Sequence, residues 1–307
     1  MSAVAVIDVG SNSIKVAVVD ATTKAELARS SEPVRLQPVD QDSTLIPSEI
    51  QEEAVQAISR LVSFARSKGA DRIVILATSA IRESDSRLIF AERVKSITGI
   101  PLTVVSGEVE ARLAASAVRS DPNYKAYSNI LAFDLGGGSL EVMALRHHHC
   151  VLARSFRLGS VRLTHGYLRG GLGLVDELDQ GSIRTHLLGV LTPIIPAKAA
   201  EDFLIVGAGG AFAVVALHLE AIGEPPVGGR LPVLRIRELK DRVCAASLEE
   251  RKKIPGIPTD RADIMPAALI TLCALADLTG AEAFHLTHRG VRHGMIELML
   301  SQSGETL

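Results

Sequence analysis

The chain is predicted to be an α/β protein of two related domains, each with a partly parallel sheet. Strand and helix patterns alternate along most of its 307 residues, a length that is long for one core and comfortable for two. An acid ending an apolar strand, then a small glycine-containing turn and a second apolar strand, occurs twice. The copies are "VAVIDVGSNSIKVAVVD", around Asp8, and "FDLGGGSLEV", around Asp134. Just before the second copy stands "SDPNYKAYS" (120–128), a polar stretch with a proline that reads as a linker.

Element by element, "PSEIQEEAVQAISRLVSFARSKG" places Ile50, Ala54, Val55, Ile58, Leu61, Val62 and Ala65 at helical spacing. Ser48 and Gln51 suit a capping box at its start, and Gly69 a stop at its end. A strand at 72–77, a helix ending near Gly99, a short strand at 102–105 and a helix from about Ser106 follow. The second half repeats the logic, with strands near 130–145 and 151–156 and helices near 160–168 and 174–190. A strand at 203–207 then runs through a glycine turn into another helix. "GEPPVGGRLP" (223–232) reads as a surface loop, and the remainder as mainly helical, with a strand at 283–287 and a terminal helix from about 291. "RHHHC" (146–150) reads as a solvated hairpin turn, because three adjacent histidines of an extended chain cannot all face one metal. The expected domains are 1–122, joined by the terminal helix at about 291–307, and 123–290.

Composition excludes several classes. The chain is 47% hydrophobic and 22% charged with net charge −2, which fits a soluble globular protein. Aromatics at 3% and the absence of Trp exclude stacking platforms for single-stranded nucleic acid, and the near-neutral charge argues against broad binding to its backbone. Cys150, Cys244 and Cys273 have neither disulfide-framework nor zinc-site spacing. The apolar run Ala3–Ile7 is far short of a signal peptide. The longest apolar stretch, 203–217, contains three glycines and falls short of the roughly 20 residues that span a bilayer. No membrane partner and a cytoplasmic location are expected.

The chemistry is concentrated in the hairpins. Each glycine in regular structure costs up to roughly 1 kcal/mol relative to alanine, so Gly136, Gly137 and Gly138 in a row imply that something approaches that backbone. Such a turn offers N–H groups and hydroxyls to anionic oxygens, while its acid holds a cation directly or through water. Either copy alone also reads as an ordinary hairpin. Two copies point to a phosphate–metal site between related halves.

The hairpins resemble the first and second phosphate loops of the actin, Hsp70 and sugar-kinase superfamily, and "IVGAGGAF" (205–212) resembles its third glycine turn. Within it, "IDVGSNSIK" (7–15), "ATSAIRES" (77–84), "SGEVEARLA" (106–114), "FDLGGGSLE" (133–141) and "GSVRLT" (159–164) resemble the exopolyphosphatase / guanosine pentaphosphate phosphohydrolase (Ppx/GppA) family in order and approximate spacing. "DRADIMPAAL" (260–269) and "RGVRHG" (289–294) resemble its later blocks, so the resemblance covers essentially the whole chain. It implies two actin-like (ribonuclease H-like) domains with mixed sheets flanking a central cleft, in the short two-domain form.

The resemblance also implies an exopolyphosphatase-type hydrolase. It would release terminal phosphate from inorganic polyphosphate or guanosine pentaphosphate with a divalent cation, usually Mg²⁺. Glu110 matches the second Glu of the S-G-x-E-E-A block, the general base that activates water. Asp134 and Glu141 match the metal-binding acids, with Asp8 facing them through water. Gly10, Ser11, Asn12, Gly136, Gly137, Gly138 and Ser139 would offer turn donors to phosphate. Arg82 matches an arginine able to clamp phosphate, and Lys15 stands where the family often has a basic residue. Self-association into a homodimer is left open.

Departures from the pattern are Val109 for the first Glu of the pair, Ala211 for a hydroxyl residue, His293 for the Glu of an R-E-G block and Ser86 for an Asn. They bear on substrate preference. A non-hydrolytic actin/Hsp70-like nucleotide switch is the alternative from another class, but such proteins lack the SGEVEAR and TSAIR blocks. A small-molecule kinase would need an acceptor-activating Asp that no motif supplies. Lys15, Arg82, Arg112 and Arg162 are the basic residues near the motifs, enough for a few phosphates, so short chains are the expected substrate.

Overall fold

The structure is a computed structural model describing residues 3–36, 44–168 and 173–301. It divides into two units, Met1–Ser120 with Arg289–Leu307, and Asp121–His288.

In the first unit, β1 (Ala3–Val9) pairs antiparallel with β2 (Ile14–Asp20), and β3 (Glu26–Glu32) adds to β2 in the same sense. α1 (Ser48–Ser67) returns the chain so that β4 (Ala70–Ala77) lies parallel to β1. Two helices, α2 (Ser79–Arg82) and α3 (Arg87–Thr98), lead to β5 (Leu102–Val104), parallel to β4. The order is β3-β2-β1-β4-β5. β1 is central and buried on both faces, which explains why it reads as a continuous apolar run instead of an alternating one. β3 is an edge strand whose sequence, ELARSSE, presents charge and hydroxyls to water.

Helix ends follow local chemistry with one correction. Gly69 and Gly99 follow α1 and α3 with φ of +83° and +73°, left-handed positions that favour glycine. The capping box expected between Ser48 and Gln51 is not made. Pro47 is the N-cap, and the buried Gln51 amide instead donates to the Ile46 carbonyl at 2.7 Å. α4 (Gly107–Arg119) is capped by Ser106, whose hydroxyl accepts from the Val109 N–H at 3.2 Å. The terminal helix, Val291–Leu300, packs on α4 and β1. Its Gly294 lies so close to Leu113 of α4 that a side chain there would overlap the Leu113 backbone.

The second unit repeats the plan. β6 (Ile130–Leu135), β7 (Leu140–Arg146) and β8 (His149–Phe156) form an antiparallel meander. His147 and His148 form its second turn with φ of +49° and +64°, positive as a two-residue type I′ turn requires. α5 (Ser160–Tyr167) and α6 (Glu177–Leu191) precede β9 (Leu204–Gly209), which is parallel to β6. α7 (Gly210–Ala221) follows. The segment expected to be only a surface loop ends in a short strand, β10 (Arg230–Pro232), where a proline is tolerated because the strand is an edge. α8 (Val233–Cys244), α9 (Leu248–Arg251) and α10 (Met265–Thr279) then lead to β11 (Ala283–Leu286), parallel to β9 and antiparallel to β10.

The order is β10-β11-β9-β6-β7-β8. Read from β8, it is the first unit's order and strand directions with one extra edge strand. α10 is apolar almost all round and correspondingly buried. Phe212 and Phe284 meet edge-on at 5.1 Å inside the core of this unit. Among the described residues no helix is long and apolar enough to cross a membrane.

Candidate active site

Both acid-and-glycine hairpins close with the same hydrogen bond. The Gly10 N–H donates to the Ser13 carbonyl at 3.2 Å, and the Gly136 N–H donates to the Ser139 carbonyl at 3.0 Å. Their cross-strand partners differ. Asp8 lies opposite Lys15, whereas Asp134 lies opposite Glu141. The first hairpin thus pairs acid with base, and the second pairs acid with acid. Like charges directly opposite on a sheet repel, and Glu141 is buried, where it accepts from the Ser155 hydroxyl at 2.7 Å. Such a pair suits a hard divalent cation.

In the first unit, the turn is held from outside by the segment after β3. The Leu36 N–H donates to the Ser11 carbonyl at 2.9 Å, and Arg35 Nε donates to Asn12 Oδ1 at 3.0 Å. Arg292, on the first turn of the terminal helix, donates to Asp8 Oδ2 at 3.3 Å. Arg82 ends α2 and directs Nη1 to Glu110 Oε2 at 2.7 Å and to the Val105 carbonyl at 3.0 Å. Glu110 itself is buried in the first turn of α4. Glu108, two residues earlier, points into solvent and pairs with Arg112 at 2.7 Å. The two acids of the SGEVEAR block therefore occupy different environments.

In the second unit, α5 abuts the triple-glycine turn. Gly159 must be glycine there, because a side chain would overlap the backbone of Gly137 and Gly138. Arg162, expected among the basic residues near the motifs, is buried and donates through Nε to the Gly138 carbonyl at 3.1 Å. The third glycine turn joins β9 to α7. Gly209 has φ of +90°, and a side chain there would come within 2.6 Å of Asp134 Oδ1. Arg261, in the DRADIMPAAL block, lays its guanidinium over Gly210, and burial lowers its pKa from the usual arginine value.

Reading motifs alone left Arg35, Arg261 and Arg292 without a role. Arg261 and Arg292 lie in blocks that stood out in the sequence; Arg35 carries no motif signal.

The model of the Ppx/GppA phosphatase family matches residues 15–303. The chain belongs to that family. An uncharacterized protein of Streptomyces coelicolor is 30% identical over 95% of this chain and 88% of its own length. Exopolyphosphatase 1 of Mycobacterium tuberculosis is 27% identical over 95% of this chain and 86% of its own length. A solved exopolyphosphatase from Cytophaga hutchinsonii superposes with a TM-score of 0.84 over 97% of this chain and 98% of that one, at 21% identity, and so shares the fold.

As a Ppx/GppA member the chain is an enzyme, a phosphoanhydride hydrolase with the actin-like fold. Three of the positions where it departs from the family pattern stand at helix starts. Val109 gives its N–H to the α4 cap, and Ala211 is buried in the first turn of α7. His293 accepts from the Gly290 N–H at 3.3 Å through Nδ1, helping to cap the terminal helix.

Proposed function

We propose that this Ppx/GppA member removes terminal orthophosphate from short inorganic polyphosphates, with Glu110 as the base that orients and deprotonates the attacking water. One observation carries the reading: Glu110 is buried at a helix start and its carboxylate is aimed by Arg82 at 2.7 Å. Phosphoryl transfer needs an oriented nucleophile and neutralised charge more than covalent participation by the protein. A carboxylate with a fixed orientation supplies the first.

Asp134 and Glu141 would hold Mg²⁺. Mg²⁺ binds through one or two carboxylates and keeps positions for water and substrate phosphates. That matches a hairpin pair better than a closed cage. When bound, the cation would neutralise charge on phosphate oxygens. Asp8, engaged by Arg292, would contribute through water. Ser11, Asn12, Gly137, Gly138 and Ser139 would donate to phosphate, with Lys15 and Arg82 adding positive charge; Gly10 and Gly136, expected as donors, instead spend their N–H groups on the Ser13 and Ser139 carbonyls that close the turns. A cytoplasmic location is the reading that fits three cysteines without disulfide-framework spacing.

Short chains are favoured because the basic residues near the motifs are already engaged within the protein, Arg82 with Glu110, Arg112 with Glu108 and Arg162 with the Gly138 carbonyl. The test compares orthophosphate release from tripolyphosphate, long polyphosphate and guanosine pentaphosphate, with and without Mg²⁺, and resolves the products by length. Intermediate lengths and a lower KM for short chains are expected. All-or-none degradation of long chains would overturn the length preference. Release from guanosine pentaphosphate alone would replace the substrate.

A further inference from the structure

We infer that Arg162 is a positioning residue for phosphate: with the first turn of α5 it holds the second glycine turn so that three successive N–H groups face outward. The ligand's identity rests on the hydrolase reading above; the geometry does not. Ser160 donates to the Gly136 carbonyl from its N–H at 2.9 Å and from its hydroxyl at 3.2 Å. The N–H groups of Val161 and Arg162 donate to the Gly137 carbonyl at 2.9 and 3.2 Å. Arg162 Nε completes the set on the Gly138 carbonyl at 3.1 Å.

A trans peptide is planar, with its C=O and the following N–H on opposite sides. Three consecutive carbonyls drawn toward α5 therefore turn the N–H groups of Gly137, Gly138 and Ser139 away from it. Among the described residues none of these three N–H groups donates to another protein group. Successive outward amides form a concave donor set for anions. The cost of aligning them is met during folding by α5 instead of during binding. Glycine is needed at Gly159 on the α5 side of this contact, because a side chain there would overlap the backbone of Gly137 and Gly138. A buried guanidinium, with a fixed planar fork, suits the last carbonyl better than a flexible ammonium.

The test uses the full chain carrying Glu110→Gln, so that the probe, tripolyphosphate with Mg²⁺, is not consumed. Titration is expected to shift the ¹⁵N-amide resonances of Gly137, Gly138 and Ser139. Adding Arg162→Gln should weaken calorimetric affinity about tenfold, the effect of losing one charge-assisted hydrogen bond, and Arg162→Lys should recover part of it. In the Glu110-intact enzyme, Arg162→Gln should raise KM more than it lowers kcat. A merely structural role would lower Tm and leave KM alone. Amides that stay put at saturation, absence of binding, or unchanged affinity in a folded Arg162→Gln protein would overturn the inference. If Arg162→Gln does not fold, the amide titration decides by itself. Amide shifts in a protein that releases no orthophosphate would sink the hydrolase reading and leave the positioning role standing.

Discussion

Arg82 and Glu110 form an ion pair at 2.7 Å, with side chains 22% and 5% exposed, that ties the short helix after β4 to the first turn of α4. The pair joins two blocks that read separately in the sequence, TSAIR and SGEVEAR. It assigns Arg82 a duty toward the base in addition to any toward phosphate.

Glu110→Gln is expected to fold normally and lose most of its turnover. Removing a general base costs about 10²–10⁴ in rate, or roughly 3–5 kcal/mol of barrier. Orthophosphate release and circular dichroism check the two halves of the statement. Glu108→Gln should be nearly silent, because its pair with Arg112 is exposed and worth about 0–1 kcal/mol. More than half of wild-type turnover in Glu110→Gln would remove it from the base role.

Arg82→Met should lower both stability and kcat. Breaking a buried pair costs about 3–5 kcal/mol, and the partial exposure of Arg82 places this pair toward or below the lower end. Denaturant midpoints measure the loss. Because the two side chains act together, the double variant Arg82→Met/Glu110→Gln should cost less than the two single changes combined. A raised KM with full kcat would make Arg82 a phosphate clamp alone.

Asp134→Asn should raise the Mg²⁺ concentration needed for half-maximal activity. The reason is the cross-strand pair with Glu141, whose repulsion a cation offsets. Titration of activity with Mg²⁺, before and after EDTA, reads this directly. Wild-type activity indifferent to EDTA would end the metal assignment.

Gly294→Ala should destabilise the first unit by about 1–3 kcal/mol, as overpacking does. The new methyl meets the Leu113 backbone, so the terminal helix must move off α4. A lower Tm with reduced kcat is expected, since the same helix carries Arg292 to Asp8. An unchanged Tm would show that the helix shifts freely.

Alkaline pH should destabilise the second unit in a defined window. Burial, then the charge of Asp121, push the Tyr124 hydroxyl up from 10.0 to about 12. Burial raises the Cys244 and Cys273 thiols from 9.0 to about 11. Each group is neutral when folded and ionises more readily when unfolded. Its stabilisation is therefore complete below the unfolded pKa and lost as pH rises through the folded value. Tm should fall between about pH 9 and 12. Tyr124→Phe forfeits the hydrogen bond to the Leu286 carbonyl, worth about 1 kcal/mol. The gap between Tyr124→Phe and wild type should narrow as pH passes 10, and a constant gap would contradict the shift.

Sequence periodicity determined the alternation of strands and helices, the two hairpins and the helix ends at Gly69 and Gly99, because those depend on interactions within a few residues. Motif order supplied the family and hence Glu110, Asp134 and Glu141 as candidates. Tertiary structure alone decided the partners of the charges and carbonyls at the site. Asp8 meets Arg292, 284 residues away, and the Gly138 carbonyl meets Arg162, 24 residues away. The capping box at Ser48 failed for a local reason, since the Ile46 carbonyl, five residues before Gln51, offered its amide a buried partner. A hydrogen bond or ion pair is chosen by whichever distant segment packing brings within about 3 Å, and local periodicity carries no record of that distance.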